Sequence, residues 1–297
     1  MRIALFASWL FLKDDILHIS QVKGEMRHLS RGLKPMRDIL DLDRFPLDQR
    51  GSDAYNALVA SCQQEMAAEG MFSLHGFMHP EVAQNVADEV ADDMASLAFH
   101  HARTHNVYFK KEIPGLDPAH PALTLFETSN YTLTGDQVLK TAVTQVYEYA
   151  PVRTFLADVM HKPELFIMDD PLARLNVMSY GQKDALNWHF DRSEFTVTLL
   201  LQKPDQGGEF EYRTGLRTAD DPNYDGVERL LTGQDPDVKL MSLDPGTLNV
   251  FKGVNTPHRV VPVQGDRRRV IAVLSYYERA GMKFTEEERI GFFGRAS

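Results

Sequence analysis

Alternate residues of an extended strand point to the same side, and this places a geometric constraint on the segment His189-Phe190-Asp191. The imidazole and the carboxylate face one way while the benzyl ring faces the other. A helix would set the two polar groups on nearly opposite sides. A second imidazole, His258 in Thr256-Pro257-His258-Arg259-Val260, follows roughly 70 residues later. It joins them only if the chain folds back on itself, as a jelly-roll barrel does. Two imidazoles and one carboxylate can occupy one face of an octahedral iron(II) ion and leave the opposite face free for an oxidant, a co-substrate or water.

His-x-Asp alone arises by chance in many chains, so its surroundings decide its weight. Phe195 to Gln202 is β-branched and apolar, as a buried strand should be. Gly207-Gly208 opens a turn into the alternating Glu209-Phe210-Glu211-Tyr212, and Asp244-Pro245-Gly246-Thr247 is a turn leading into Leu248-Asn249-Val250-Phe251. After His258 come Val260-Val261-Pro262-Val263, the turn Gln264-Gly265-Asp266, and a strand from Arg267 to Tyr277. Alternation puts Arg267 and Arg269 on one face of that strand and Arg268 on the other. An arginine turned into the barrel needs a carboxylate partner, and its planar fork suits bidentate binding of one. A dicarboxylate co-substrate would meet that need.

The order His189-x-Asp191, Gly207-Gly208, Pro245-Gly246-Thr247, His258-Arg259-Val260-x-Pro262-Val263 and Arg269 resembles the iron(II)/2-oxoglutarate-dependent oxygenase superfamily. Gly265-Asp266 through Arg269, Val273-Leu274-Ser275-Tyr276 and Phe292-Phe293-Gly294-Arg295 are similar to the branch of free amino acid halogenases and related hydroxylases. The resemblance runs from about Leu175 to Arg295, a little over two fifths of the chain. It implies that His189, Asp191 and His258 bind Fe(2+), and that Arg269 holds the distal carboxylate of 2-oxoglutarate, with Arg267 as the alternative. It also makes Asn176 and Tyr180, which share a face of the strand Arg174 to Tyr180, secondary contacts to that co-substrate. Halogenases of the branch carry Gly or Ala where this chain has Asp191, so the resemblance implies hydroxylation or a related oxidation. Arg192 and Glu194 are the residues placed to meet the carboxylate and ammonium of a zwitterionic substrate.

A net charge of -10 and a pI near 5.6 make nucleic acid an unsuitable partner. The one cysteine, Cys62, excludes an internal disulfide, sits on an apolar helical stripe, and fits a reducing cytoplasm. The apolar stretch within Met1 to Leu12 is too short to span a bilayer and lacks a clear cleavage site. A natural start at Met26 or Met36 would place it outside the native protein. Ser52 or Asp53 is expected to cap a helix through Tyr55, Leu58, Val59, Cys62 and Met66 that Gly70 ends, and His79-Pro80 to start a second. His100, His101 and His105 read as solvated residues at that helix's end, and Asn106 to Phe109 as a strand. Pro114 to Thr134 reads as a loop over the barrel mouth in which Glu127, Asn130 and Tyr131 are possible substrate contacts. Two helices are expected near Gln137 to Tyr149 and Pro151 to Met160, and a short one at Val227, Leu230 and Leu231.

The sequence therefore reads as an α+β protein: a double-stranded β-helix, or jelly-roll, barrel with an N-terminal helical buttress. Residues 1–39 form an extension that is either non-native or poorly ordered, 40–164 the buttress and lid region, and 165–297 the catalytic core with a C-terminal tail. The expected function is that of an iron(II)/2-oxoglutarate dioxygenase hydroxylating a C–H bond of a free amino acid or similar small polar metabolite. Dioxygen is the other partner, ascorbate is a possible stimulant, and the oligomeric state is open. A prolyl-hydroxylase-like enzyme acting on a protein and a non-catalytic metal-binding barrel sensor are the alternatives.

Overall fold

The apolar run forms strand β7 (Thr196–Gln202), and its two faces divide the interior of the protein. The computed structural model describes residues 34–297, of which Met36–Ser297 form a single unit. The expectations about Met1 to Leu12 and Met26 lie outside the described residues. Val197, Leu199 and Leu201 of β7 enter the large hydrophobic core, and Leu200 points the other way into a smaller one.

Five helices pack on the first of these faces. Helix α1 (Asp53–Glu69) starts at the Ser52 hydroxyl, which accepts from the Tyr55 amide, and stops at Gly70, whose φ of 71° suits glycine. After β1 (Met71–Leu74), α2 (Pro80–Glu89) begins on its proline and is followed by α3 (Ala91–Ser96). Strands β2 (Phe99–His105) and β3 (Phe126–Leu133) come next, then α4 (Ala142–Glu148) and α5 (Ala150–Val159). Cys62, Val86, Val146 and Phe155 are among the helical residues packed in that core, each at most 1% exposed. Burial pushes the Cys62 thiol up to about 12, which suits a structural rather than a reactive cysteine.

The remaining elements complete the barrel. They are β4 (Phe166–Ile167), β5 (Leu175–Tyr180), β6 (Leu186–His189), β8 (Phe210–Tyr212), α6 (Tyr224–Leu231), β9 (Lys239–Met241), β10 (Leu248–Phe251), β11 (His258–Val260), β12 (Arg269–Leu274), β13 (Tyr276–Tyr277) and α7 (Glu286–Phe293). A seven-stranded sheet runs β1-β10-β7-β12-β5-β3-β2, and a four-stranded sheet runs β6-β11-β8-β9. Both are antiparallel throughout. Tyr180, Leu200 and Ile271 from the larger sheet pack between the sheets with Leu243 and Val263. This is the jelly-roll with a helical buttress that the sequence predicts. Among the described residues no helix is long and apolar enough to cross a membrane.

Three local expectations are corrected. The histidines at 100, 101 and 105 are not at a helix end, because Phe99–His105 pairs along its whole length with β3. The segment from Pro114 to Thr134 is a loop only in its first half, since Phe126 to Leu133 is strand and Tyr131 to Leu133 also pairs with β5. Cross-strand pairing overrides the weak β-propensity of His, Ala, Asn and Glu in both stretches. Asn106 to Phe109 is not a strand: the Asn106 side-chain oxygen accepts from the Tyr108 and Lys110 amides and folds the segment into a turn.

The C-terminal helix is fastened by Asp170, which has no exposed surface. Its carboxylate accepts from the Leu172, Ala173 and Phe284 amides and from Arg289 Nε at 2.8 Å. Burial alone would raise its pKa, but the Arg289 bond and the amide donors outweigh it and hold the group below the ordinary carboxylate range. The stabilisation is therefore complete above the unfolded value and is lost as pH falls through the folded one. Asp170→Asn should cost roughly 3 kcal/mol in chemical denaturation at neutral pH. The gap between variant and parent should close as the pH is taken below the carboxylate range; an unchanged gap would show that the carboxylate charge is not what stabilises α7.

Candidate metal centre

His189 is the last residue of β6, His258 the first of β11, and the two are direct partners in the ladder. That pairing brings their ring centroids to 4.2 Å. His189 Nδ1 donates to the Asn187 carbonyl at 2.8 Å and His258 Nδ1 donates to the Thr256 carbonyl at 3.0 Å. Each ring therefore turns its Nε2 to the same point, the arrangement a metal ligand needs. Phe210 and Phe251 flank His258 with ring centroids at 5.2 and 4.8 Å, a dry wall on one side.

Asp191 completes the set from just beyond the strand. Its amide donates to the Gly253 carbonyl at 3.0 Å, which carries the alternation on after β6 has ended. Oδ1 lies 3.4 Å from His189 Nε2 and 3.6 Å from His258 Nε2. Oδ2 turns away and accepts from the Thr196 hydroxyl at 2.5 Å. A Cβ at residue 253 would land on Oδ2, so only glycine fits against this carboxylate. Phe190, between the two ligands, faces outward into a cluster with Trp188, Val107 and Leu216, as alternation predicts.

The donor set fits a divalent transition metal. The ligand atoms of His189, Asp191 and His258 lie within 4.8 Å of one another, and an octahedron with bonds near 2.1 Å has adjacent donors about 3 Å apart. Burial opposes ionisation of Asp191, but the two imidazoles and the Thr196 hydroxyl prevail and hold it well below the carboxylate range. Burial chiefly pushes His258 down to about 4. At neutral pH Asp191 is thus ionised and His258 neutral, each in its ligating form.

Arg269 opens β12 opposite Tyr180 and is 4% exposed. Its Nη1 is buried without a hydrogen-bond partner, and its guanidinium carbon lies 5.6 Å from the centroid of the Tyr180 ring. Beside it is a narrow cleft lined by Leu200, Gly207, Gly208, Glu209, Phe210 and Leu243. Tyr180 is pushed up to about 12 by burial and remains a phenol. Arg267, the alternative to Arg269, is exposed and donates to Gln84 on α2. Asn176 stands opposite Val273, four residues along β12 from Arg269 or about 13 Å of strand, and donates its amide to the Leu172 carbonyl. The structure therefore brings Tyr180 to Arg269 and leaves Asn176 apart.

Arg192 pairs with Glu288 and Glu194 with Lys162, both at the surface. Asn130 is buried on the inner face of β3, whereas Tyr131 stacks on His100 on the opposite face. His105, expected in solvent, is 6% exposed. Its Nδ1 donates to the Asn106 carbonyl and its Nε2 accepts from Thr128, whose oxygen also receives the Asn187 amide. A second cluster, His120, Asp225 and Glu228, also brings donor atoms together. There His120 Nδ1 accepts from the Ala122 amide, so the neutral ring carries its proton on Nε2 towards Glu228. That proton occupies the lone pair a metal would use, and the contact instead ties the loop ahead of β3 to α6.

A family model described as Halogenase D matches residues 54–289. Among solved structures, the chain is similar to HygX from Streptomyces hygroscopicus, determined with nickel, 2-oxoglutarate and hygromycin B bound. That likeness has a TM-score of 0.50 at 11% identity and covers 76% of this chain and 89% of that one. AviO1 from Streptomyces viridochromogenes Tue57 is similar with a TM-score of 0.50 at 12% identity, covering 74% and 95%. The α-ketoglutarate-dependent non-haem epimerase SnoN from nogalamycin biosynthesis is similar with a TM-score of 0.50 at 12% identity, covering 75% and 83%. These likenesses show a shared fold. No curated protein matches the chain.

The contacts of Asp191 make a specific demand on its neighbours. Thr196→Val should leave the fold intact and weaken iron(II) binding by about tenfold or more, as loss of a ligand's hydrogen-bond partner does. Gly253→Ala should weaken it further. Titration against a competing chelator reads both, and wild-type affinity in Thr196→Val would show that this hydroxyl does not orient the carboxylate.

Proposed function

We propose, from the premise that this chain belongs to the Halogenase D family, that it is an iron(II)/2-oxoglutarate-dependent hydroxylase of a free amino acid or similar small polar metabolite, working in the cytoplasm. The observation that carries the reading is one inner surface with two features. Two imidazoles and a carboxylate converge on one point, and a buried guanidinium with no partner stands beside a narrow cleft. The lone buried thiol of Cys62 supports the cytoplasmic setting.

Bound iron(II) and 2-oxoglutarate would supply the oxidising chemistry: dioxygen is consumed, 2-oxoglutarate becomes succinate and carbon dioxide, and a C–H bond becomes C–OH. The protein's part is positioning and exclusion. His189 and His258 present Nε2 because carbonyls hold their Nδ1 protons. Asp191 presents Oδ1 because Thr196 and Gly253 hold Oδ2 away. Arg269 offers the distal carboxylate of 2-oxoglutarate a bidentate, charge-assisted seat, for which its burial was a standing cost. Tyr180, as a neutral phenol, packs against that seat.

Asp191 separates hydroxylation from halogenation. Where the related halogenases have a small residue and a vacancy for chloride, this chain has a carboxylate whose Oδ2 is held by Thr196 and whose Oδ1 faces the two imidazoles. A prolyl residue of a protein is the second substrate class, and a metal-binding sensor would have no use for the seat at Arg269.

Three measurements test the reading. With iron(II), ascorbate and 2-oxoglutarate, the protein should form succinate, and labelled dioxygen should put labelled oxygen into a product even when chloride is present; a chlorinated product would overturn the hydroxylase assignment. His189→Ala should abolish turnover with its circular dichroism spectrum unchanged. Arg269→Gln should raise the KM for 2-oxoglutarate about a hundredfold while metal affinity holds, the expected loss for a buried charged bond of roughly 3 kcal/mol.

A further inference from the structure

The inner face of the β2/β3 hairpin carries a second guanidinium. Alternation turns Phe99, His101, Arg103 and His105 to the same side of β2, and Arg103 stands opposite Thr128. Thr128 is 2% exposed, whereas Glu127 on the other face is open to solvent. The face bearing Arg103 is therefore the one that continues the barrel interior. Arg103 Nε is buried without a hydrogen-bond partner. Among the described residues no carboxylate pairs with it, and its pKa is lowered by burial alone.

Its neighbours do not balance the charge. Burial, reinforced by Arg103, pushes His101 down to about 4. Burial chiefly keeps His105 below its usual range, and its two ring nitrogens are already satisfied by Asn106 and Thr128. Arg103 is thus a lone cation on this patch at neutral pH. It is also close to the metal ligands: the Phe109 ring lies 4.5 Å from the Arg103 guanidinium carbon and 5.8 Å from the His189 ring. Phe109 holds this place at φ 55°, a backbone conformation that a bulky side chain rarely adopts.

Two unpaired guanidinia therefore face one interior, Arg269 and Arg103, and one 2-oxoglutarate accounts for only the first. We infer that Arg103 is the seat for a carboxylate of the substrate. The assignment rests on the oxygenase reading above and narrows it: the substrate is a small carboxylic acid whose oxidised carbon lies several bonds from the carboxylate. Its carbon chain would run along the Phe109 ring between Arg103 and the ligands. Arg192 and Glu194 have no such part, since each already has a surface partner.

The test uses the full chain loaded with iron(II) and 2-oxoglutarate, and reads succinate release stimulated by the standard amino acids and by straight-chain carboxylic acids, each supplied as free acid and as carboxamide. Stimulation should come from acids and fall at least tenfold for the matching carboxamides, because a guanidinium fork gains a charge-assisted pair only from a carboxylate. Arg103→Gln should raise the KM for a stimulating acid by tenfold to a hundredfold and leave the KM for 2-oxoglutarate unchanged. Arg103→Lys should recover part of the effect. Equal stimulation by acid and carboxamide, an unchanged KM in Arg103→Gln, or basal turnover that no acid stimulates would each overturn the assignment. Absence of basal turnover in the wild type would count against the oxygenase reading itself.

Discussion

The pairing of β6 with β11 is the constraint on which the rest of the molecule depends. It sets two imidazoles side by side in a nearly water-free interior, a position that costs free energy unless each polar atom has a use. One nitrogen of each ring is satisfied by a backbone carbonyl within two residues of it, so the outward tautomer is settled locally. The other nitrogen is left for something that the chain itself does not provide.

The third donor shows how a barrel can place a group just outside its own regular structure. Asp191 has left β6, yet its amide is held by Gly253 and its carboxylate by Thr196 at the start of β7. Three separate segments thus define one oxygen position. Rigid elements on either side of a short irregular stretch hold a constellation more closely than a loop would. The same division of labour appears at the opposite edge, where Thr128 links β3 to the strand carrying His189 through the Asn187 amide and to β2 through His105.

The helices serve the site at one remove. Their side chains cover the outer face of the large sheet, so that its inner face is free for polar residues that a core could not accept. Arg103 and Arg269 both sit on that inner face and both carry a buried nitrogen without a partner. A cationic nitrogen taken out of water without a partner is costly, and on the proposed reading both are kept for anions.

The residue pattern by itself put His189 and Asp191 on one face and called for a barrel to bring His258 to them, because a strand's period of two and the donor chemistry of His and Asp are local properties. It left Arg267 and Arg269 on one face, and only the tertiary structure buried Arg269 and exposed Arg267. The residue pattern also determined both ends of α1 through Ser52 and Gly70. Only the tertiary structure decided that Phe99–His105 and Phe126–Leu133 are strands, since their ladders to one another and to β5 supply what their composition lacks. The same holds for the contacts of Thr196 and Gly253 with Asp191, for the separation of Asn176 from Arg269, and for the ion pairs that occupy Arg192 and Glu194. Each depends on which distant segments meet, and no run of neighbouring residues encodes that.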